Sequence, residues 1–119
     1  MKKMENCVVN ILGTEYAIYH RNEKEDELLD GKCRDGYTDN SAKEIVICNK
    51  KEDCELRDYE NYRKSVLRHE IIHAFLYECG LDGCSGSASC GWAINEEMVD
   101  WFAIVSPKIF KVFQELDIL

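Results

Sequence analysis

The stretch of chain from residue 58 to residue 79 contains neither glycine nor proline, and it constrains the fold more than any other feature. Asp58 is a suitable N-cap, and Gly80 provides a C-terminal stop. Apolar residues in the second half of this predicted helix cover more than half of its circumference. We therefore expect a long central helix whose second half is buried nearly all round.

Two histidines stand four residues apart on this helix, in the sequence His69-Glu70-Ile71-Ile72-His73. Residues i and i+4 share one helical face about 6 Å apart along the axis, so both imidazoles can reach one tetrahedral Zn²⁺. Glu70 is rotated by about 100° and can take a proton from a zinc-bound water. The alternative is a pair of core histidines that bond to backbone while Glu70 is solvated.

The third zinc ligand has to come from outside the helix. His20, at the end of a strand, is predicted to be a surface residue, which leaves the carboxylates that follow Asn95. Glu96 and Asp100 lie four residues apart on one helical face, so one can bind zinc while the other holds a ligand imidazole by its free N–H. Glu97 is the alternative ligand by helical geometry. A merely solvated stripe of an amphipathic helix is the other interpretation of this pair.

Shorter patterns predict the remaining elements and their order along the chain. Together they indicate an α+β layout in which a small sheet packs on the central helix. The predicted elements are a hairpin at 8–12 and 15–20, a polar surface connection at 21–40, a strand at 43–48, a loop at 81–91, and two final helices at 96–105 and 108–116.

Composition limits the class of protein. A chain of 119 residues with one proline and 45% hydrophobic residues is expected to form a single domain, residues 1–119. Fifteen basic against 23 acidic residues give a net charge of -8, which argues against nucleic acid or an anionic membrane as a partner. Neither an export signal nor a membrane-spanning apolar stretch is evident, so we expect a cytoplasmic protein.

The chain has seven cysteines, at positions 7, 33, 48, 54, 79, 84 and 90. An odd number in a reducing compartment favours free thiols over disulfides. A structural zinc site built from Cys79, Cys84 and Cys90 is a rival interpretation, although the sequence has no C-x-x-C pair.

The order His69-Glu70-x-x-His73 followed by Glu96-x-x-x-Asp100 resembles the gluzincins. The string from Asn95 to Ala103, with Pro107 beyond it, is similar to the third-ligand helix of small ImmA/IrrE-type metallopeptidases of phages and mobile elements, and SprT-like proteins are a more distant comparison. The similarity covers at most residues 43–107.

The resemblance implies a minimal zincin-like domain and a role for each matched residue. His69, His73 and Glu96 would be zinc ligands, Glu70 the catalytic base, and Asp100 the group that orients a histidine. The implied function is zinc-dependent hydrolysis of peptide bonds in a protein or peptide substrate, with a regulatory protein as a possible further partner.

The chain departs from the gluzincin pattern in one respect. Many gluzincins have a later histidine or tyrosine that stabilises the oxyanion, and neither residue type occurs after Glu96. Tyr37, Tyr77 and Arg68 are candidates for this role, although each is more readily explained as a structural or surface residue. The alternative function is a catalytically weak or inactive zinc-binding interaction module.

The strand at residues 43–48 is rich in β-branched residues and directly precedes the helix. We expect it to be an exposed edge strand along the active-site helix, where an extended substrate would bind by strand addition.

Overall fold

The computed structural model describes residues 6–32, 34–82 and 92–119. Within these ranges the fold is α+β, with a mixed four-stranded sheet in the order β1-β2-β4-β3 and three α-helices. The strands are β1 (Cys7–Ile11), β2 (Thr14–Arg21), β3 (Gly36–Asp39) and β4 (Glu44–Cys48). The helices are α1 (Glu27–Asp30), α2 (Tyr59–Glu78) and α3 (Glu96–Glu115), with 3₁₀ turns at Glu23–Glu25 and Trp92–Ile94.

The hairpin of β1 and β2 is confirmed, although its turn lies one residue earlier than the expected position at residues 13–14. The two strands pair antiparallel, and Leu12 and Gly13 form the turn with φ values of 52° and 93°. Two consecutive positive φ angles match the twist of the flanking strands. Asn10 stabilises the turn because its side-chain oxygen accepts a hydrogen bond of 2.8 Å from the Gly13 N–H.

The expectation that residues 43–48 form an edge strand is wrong. β4 pairs with β2 in parallel and with β3 antiparallel, so both of its edges are occupied. Its four residues from Ile45 to Cys48 have no exposed surface. A continuous apolar run is typical of a strand covered on both faces, whereas an edge strand usually carries polar or charged residues.

The strand at the edge beside β4 is β3, which lies in the segment that was expected to be a surface connection. Its sequence Gly-Tyr-Thr-Asp has no apolar run, and only its position beside β4 and α2 makes it a strand. A Cβ on Gly36 would lie 3.0 Å from Val66 Cγ1 and 3.1 Å from the Val46 carbonyl oxygen. A larger residue at this position would force β3 or its neighbours to shift by a few tenths of an ångström, so glycine suits the close packing of β3 against α2.

The two faces of β4 belong to two clusters of buried residues. Ile45 and Ile47 point towards α2 and pack with Ala74, while Val46 and Cys48 pack against Leu29 of α1. Full burial of such a side chain contributes about 1.5–3 kcal/mol relative to exposure. The sheet is thus fixed to α2 on one face and covered by α1 on the other.

Helix α2 begins and ends as predicted. The Asp58 side chain accepts a hydrogen bond of 3.1 Å from the Asn61 N–H, and Gly80 follows the helix with a φ of 87°. Its second half, however, is not buried all round, because Phe75 and Tyr77 are each 40% exposed. The sheet covers one side and α3 another, which leaves part of the circumference outside both contacts.

One helix replaces the two that were predicted at the C-terminal end. Helix α3 runs through Pro107. A proline has no N–H, so the carbonyl group four residues earlier, that of Ala103, loses its intrahelical partner. The Arg68 side chain of α2 donates a hydrogen bond to this carbonyl oxygen and replaces the missing donor.

His20 is not the surface residue that was expected. It is half-buried, and its Nδ1 is a buried atom with no hydrogen-bond partner among the described residues. Burial lowers the pKa of His20, and the nearby Arg63 lowers it further. His20 is therefore part of the packing between β2 and α2.

Four cysteines fall within the described ranges. Cys7, Cys48, Cys54 and Cys79 are all free thiols, as predicted. Cys33, Cys84 and Cys90 lie outside the described residues, as does most of the predicted loop at 81–91. In the described part of the chain, no helix has both the length and the apolar character to span a membrane.

The central position of β4 leads to a prediction about folding. Val46→Pro should prevent folding, because each interior N–H of a strand paired on both sides donates to a neighbour. Its loss leaves a buried acceptor unpaired at a cost of about 1–3 kcal/mol, to which the ring adds steric conflict. Far-UV circular dichroism and thermal unfolding measure the outcome. Val46→Ala keeps the N–H and should still unfold cooperatively, at a lower temperature. A well-folded Val46→Pro protein would contradict the central placement.

Candidate metal centre

The two histidines of α2 face each other at their outer nitrogens. The Nε2 atoms of His69 and His73 lie 3.1 Å apart, and the ring centroids are separated by 4.8 Å. Both side chains are largely buried, with exposed fractions of 19% and 16%. The spacing of four residues on one helix produces this arrangement without any irregularity in the backbone.

The first turn of α3 adds a carboxylate to this pair. Asn95 caps the helix by accepting a hydrogen bond of 2.8 Å from the Met98 N–H, which fixes where the turn begins. One carboxylate oxygen of Glu96 then lies 2.9 Å from His69 Nε2 and 3.2 Å from His73 Nε2. Glu97, the alternative ligand, is exposed and lies with Asn95, Met98 and Trp101 around a separate surface depression.

Asp100 reaches the same cluster from one turn further along α3. Its Oδ1 lies 3.3 Å from Nδ1 of His69. When the neutral imidazole donates its Nδ1–H to this carboxylate, the lone pair of the other ring nitrogen points at Glu96 and His73. In that tautomer, the Asp100 contact would orient the ring and direct a free donor atom at the centre of the cluster.

The donor set fits a zinc ion. Ligand atoms at about 2.0–2.1 Å from a tetrahedral metal lie about 3.3–3.4 Å from one another. The two imidazole nitrogens and the Glu96 oxygen are separated by 2.9–3.2 Å, slightly less than this value. Two nitrogens and one oxygen are also a typical ligand set of catalytic zinc, and they leave one coordination position open. Three atoms with lone pairs at such short range are best stabilised by a cation between them.

Glu70 lies beside the three converging atoms and is only 7% exposed. The Thr38 hydroxyl lies 3.0 Å from its backbone carbonyl oxygen and 3.3 Å from its carboxylate oxygen Oε1. Burial raises the pKa of Glu70, while the two histidines and the Thr38 hydroxyl act in the opposite direction. The alternative in which Glu70 is solvated is therefore wrong.

Glu70 is also close enough to be considered as a metal ligand. One potential ligand atom from each of His69, Glu70 and His73 lies within 4.8 Å of the others. The Glu96 oxygen lies well within this distance of both imidazole nitrogens, at 2.9 Å from His69 Nε2 and 3.2 Å from His73 Nε2. The distances thus favour Glu96 over Glu70 as the third donor beside the two imidazole nitrogens.

A cleft of about 430 Å³ opens in front of the histidines. It includes residues that the sequence did not single out, among them Arg34, Thr38 and Asn40, together with Asp82. They come from the segment around β3 and from the residues that follow Gly80, and no local motif marks them. Only the pairing of β3 with β4 brings Arg34 and Thr38 to the site.

The three residues considered as oxyanion stabilisers are engaged elsewhere. Tyr37 lines the cleft, but its hydroxyl donates a hydrogen bond of 2.6 Å to Asp26, and burial raises its pKa to about 12. Arg68 bonds to the Ala103 carbonyl. Tyr77 is 40% exposed and packs beneath the Lys43 ammonium group. Arg34 is the cationic side chain among the residues lining the cleft.

Comparison of the chain with protein-family models, with curated proteins and with solved structures found no match. The interpretation of the site therefore rests on the residues and their geometry.

The geometry predicts different effects for three neighbouring carboxylates of α3. Glu96→Gln should remove bound zinc, because the amide is a poorer ligand and one of three protein ligands is lost. Asp100→Asn should weaken zinc binding by roughly 10–100-fold, the usual effect of losing the group that orients a ligand. Glu97→Gln is the matched control and should keep zinc at full stoichiometry. Elemental analysis and competition with a chelator measure these values, and zinc loss in Glu97→Gln alone would reverse the assignment.

Proposed function

We propose that this protein is a small zinc metallopeptidase with a zincin-like arrangement of sheet, central helix and third-ligand helix. The observation that carries the proposal is the convergence of His69 Nε2, His73 Nε2 and the Glu96 carboxylate within 2.9–3.2 Å. The buried carboxylate of Glu70 beside them and the carboxylate of Asp100 behind His69 support it. These side chains come from two helices, so their convergence requires the tertiary fold.

A zinc ion held by these residues would polarise a scissile carbonyl group and lower the pKa of a water molecule. Glu70 is placed to accept a proton from the attacking water and to transfer it to the leaving amine. Burial raises the pKa of its carboxyl group above the ordinary value, which makes the ionised form a stronger proton acceptor. Asp100 keeps His69 in the orientation that binds the metal.

The exposed edge of β3 is the proposed binding position for a peptide substrate. β3 is the last strand of the described sheet on that side, and Gly36, Tyr37 and Thr38 all line the cleft. An extended peptide could pair with the main chain of β3 and pass in front of the histidines, with little side-chain selectivity. This role belongs to β3 because both edges of β4 are already paired.

A zinc-binding module without turnover is the second candidate function. Among the described residues, no tyrosine hydroxyl or further histidine ring N–H is directed into the cleft to stabilise the oxyanion, because the Tyr37 hydroxyl is bonded to Asp26. This observation favours the binding module. In the peptidase, Arg34 would have to supply the positive charge that this step needs.

Replacement of Glu70 distinguishes the two functions. Glu70→Gln should keep one equivalent of zinc and lose at least about 100-fold in the hydrolysis of labelled unfolded casein, the lower range for a general base. Glu97→Gln, an exposed carboxylate on α3, is the matched control and should retain activity. If the zinc-loaded wild-type protein showed no hydrolysis and could not be distinguished from Glu70→Gln, the result would support the binding module. Loss of zinc in Glu70→Gln would identify Glu70 as a ligand.

Removal of the Thr38 hydroxyl should shift the pH dependence of hydrolysis. Its hydrogen bond favours the ionised form of Glu70 and lowers the pKa of that carboxyl group. Thr38→Val removes the bond, so the pKa of Glu70 should rise and the acidic limb of kcat/KM should move to higher pH. Thr38→Ser keeps the hydroxyl and should retain the wild-type profile. An unchanged profile in Thr38→Val would mean that Glu70 does not control this limb.

A further inference from the structure

Helix α3 carries an apolar stripe that begins beside α2, where Met98 and Phe102 line an apolar depression with Ile72 and Phe75, and continues along the part of α3 that α2 does not cover. The residues that α3 buries are Val99, Ala103 and Ser106, all of which precede Pro107. From Pro107 to Leu119 no residue is buried, although this part contains several large apolar side chains. Val112 is 49% exposed and Leu116 is 64% exposed. An apolar surface of this kind on a charged chain indicates a binding face.

The stripe has the spacing of a coiled-coil seam. Its apolar residues follow one another at alternating intervals of three and four, which is the heptad pattern of positions a and d. The seam consists of Met98, Phe102, Val105, Ile109, Val112 and Leu116. It lies to one side of the face that packs on α2, because Val99, Ala103 and Ser106 are offset from it by about 100° around the helix.

The end of the helix is held in a defined conformation. The Ile118 N–H bonds to the Phe113 carbonyl oxygen at 3.0 Å, and the Asp117 N–H bonds to the Gln114 carbonyl oxygen at 3.1 Å. Asp117 has a φ of 55°. Together these features form a Schellman motif. The last turn of the seam is therefore presented in an ordered form.

Two charged residues beside the seam would form ion pairs with the same two residues of a second copy if the two helices were antiparallel. Lys108 and Glu115 occupy the same heptad position, which faces its equivalent in an antiparallel pair of helices. When Lys108 of one copy faces Glu115 of a second copy, Val105 aligns with Leu116 and Ile109 aligns with Val112 across the interface. The same alignment therefore pairs the opposite charges and brings the apolar residues of the two copies into contact. Two-fold symmetry repeats each of these contacts.

We propose that a second copy of this chain covers the seam, in a two-fold symmetric dimer formed by antiparallel packing of the two α3 helices. The charges argue against a membrane surface, because Lys108 and Lys111 are balanced by Glu115 and Asp117 and the chain carries a net charge of -8. An unrelated partner is not expected to carry charges at the spacing of Lys108 and Glu115, whereas a second copy carries the same pair on the same helix.

The oligomeric state of the purified full-length chain tests this proposal. Sedimentation velocity and light scattering at tens of micromolar should give twice the mass of one chain. Ile109→Glu places a charge in the middle of the seam and should yield a monomer. Ile104→Glu is the matched control, because Ile104 is 54% exposed on the same helix but about 120° away from the seam, and it should remain dimeric. Circular dichroism verifies that both variants fold.

Charge reversal tests the orientation and holds even if Ile109→Glu fails to fold. Lys108→Glu and Glu115→Lys should each weaken dimerisation by roughly tenfold, because two ion pairs become repulsive in each dimer. A mixture of the two variant proteins should restore it, since both contacts are then opposite in sign. A monomeric wild-type chain, a dimer that persists in folded Ile109→Glu, or binding of the monomer to anionic vesicles would each overturn the proposal.

Discussion

The packing of α3 across α2 is the contact on which the candidate metal centre depends. Small side chains at Ala103 and Ser106 let the two helices lie close together, and Arg68 supplies the hydrogen bond that Pro107 removes from the Ala103 carbonyl. A proline that would otherwise interrupt α3 is thereby accommodated at the helix contact. Since Glu96 lies on the same continuous helix, this contact also holds its carboxylate against the histidines of α2.

The carboxylates of the site occupy different environments, and this difference separates their proposed roles. Glu70 is nearly buried and lies beneath Thr38, whereas the side chains of Glu96 and Asp100 are 70% and 60% exposed at the mouth of the cleft. An exposed carboxylate can approach a cation or an imidazole N–H from solvent, while burial raises the pKa of Glu70 and makes its carboxylate a stronger proton acceptor. The sheet causes this asymmetry, because β3 covers Glu70 and leaves α3 open to solvent.

Helix α3 combines two contacts on different faces. The face with Val99 and Ala103 packs on α2, and the seam lies about 100° around the helix from it. In the proposed dimer, the second copy would pack on the part of α3 from Val105 to Leu116. Dimerisation would then support the helix that carries Glu96 and Asp100 without occupying the cleft, which lies on the opposite side of α3 from the seam.

Local sequence rules determined the parts of this protein that depend on a few neighbouring residues. The bounds of α2 follow from Asp58 and Gly80, the hairpin follows from its turn, and the facing of His69 and His73 follows from helical periodicity. The order of the strands, the existence of β3 and the continuity of α3 through Pro107 depend on partners far away in the chain. Helical geometry left both Glu96 and Glu97 as candidates, and only the packing of α3 on α2 turned Glu96 towards the histidines, because the direction of a whole helix is fixed by the surface on which it packs.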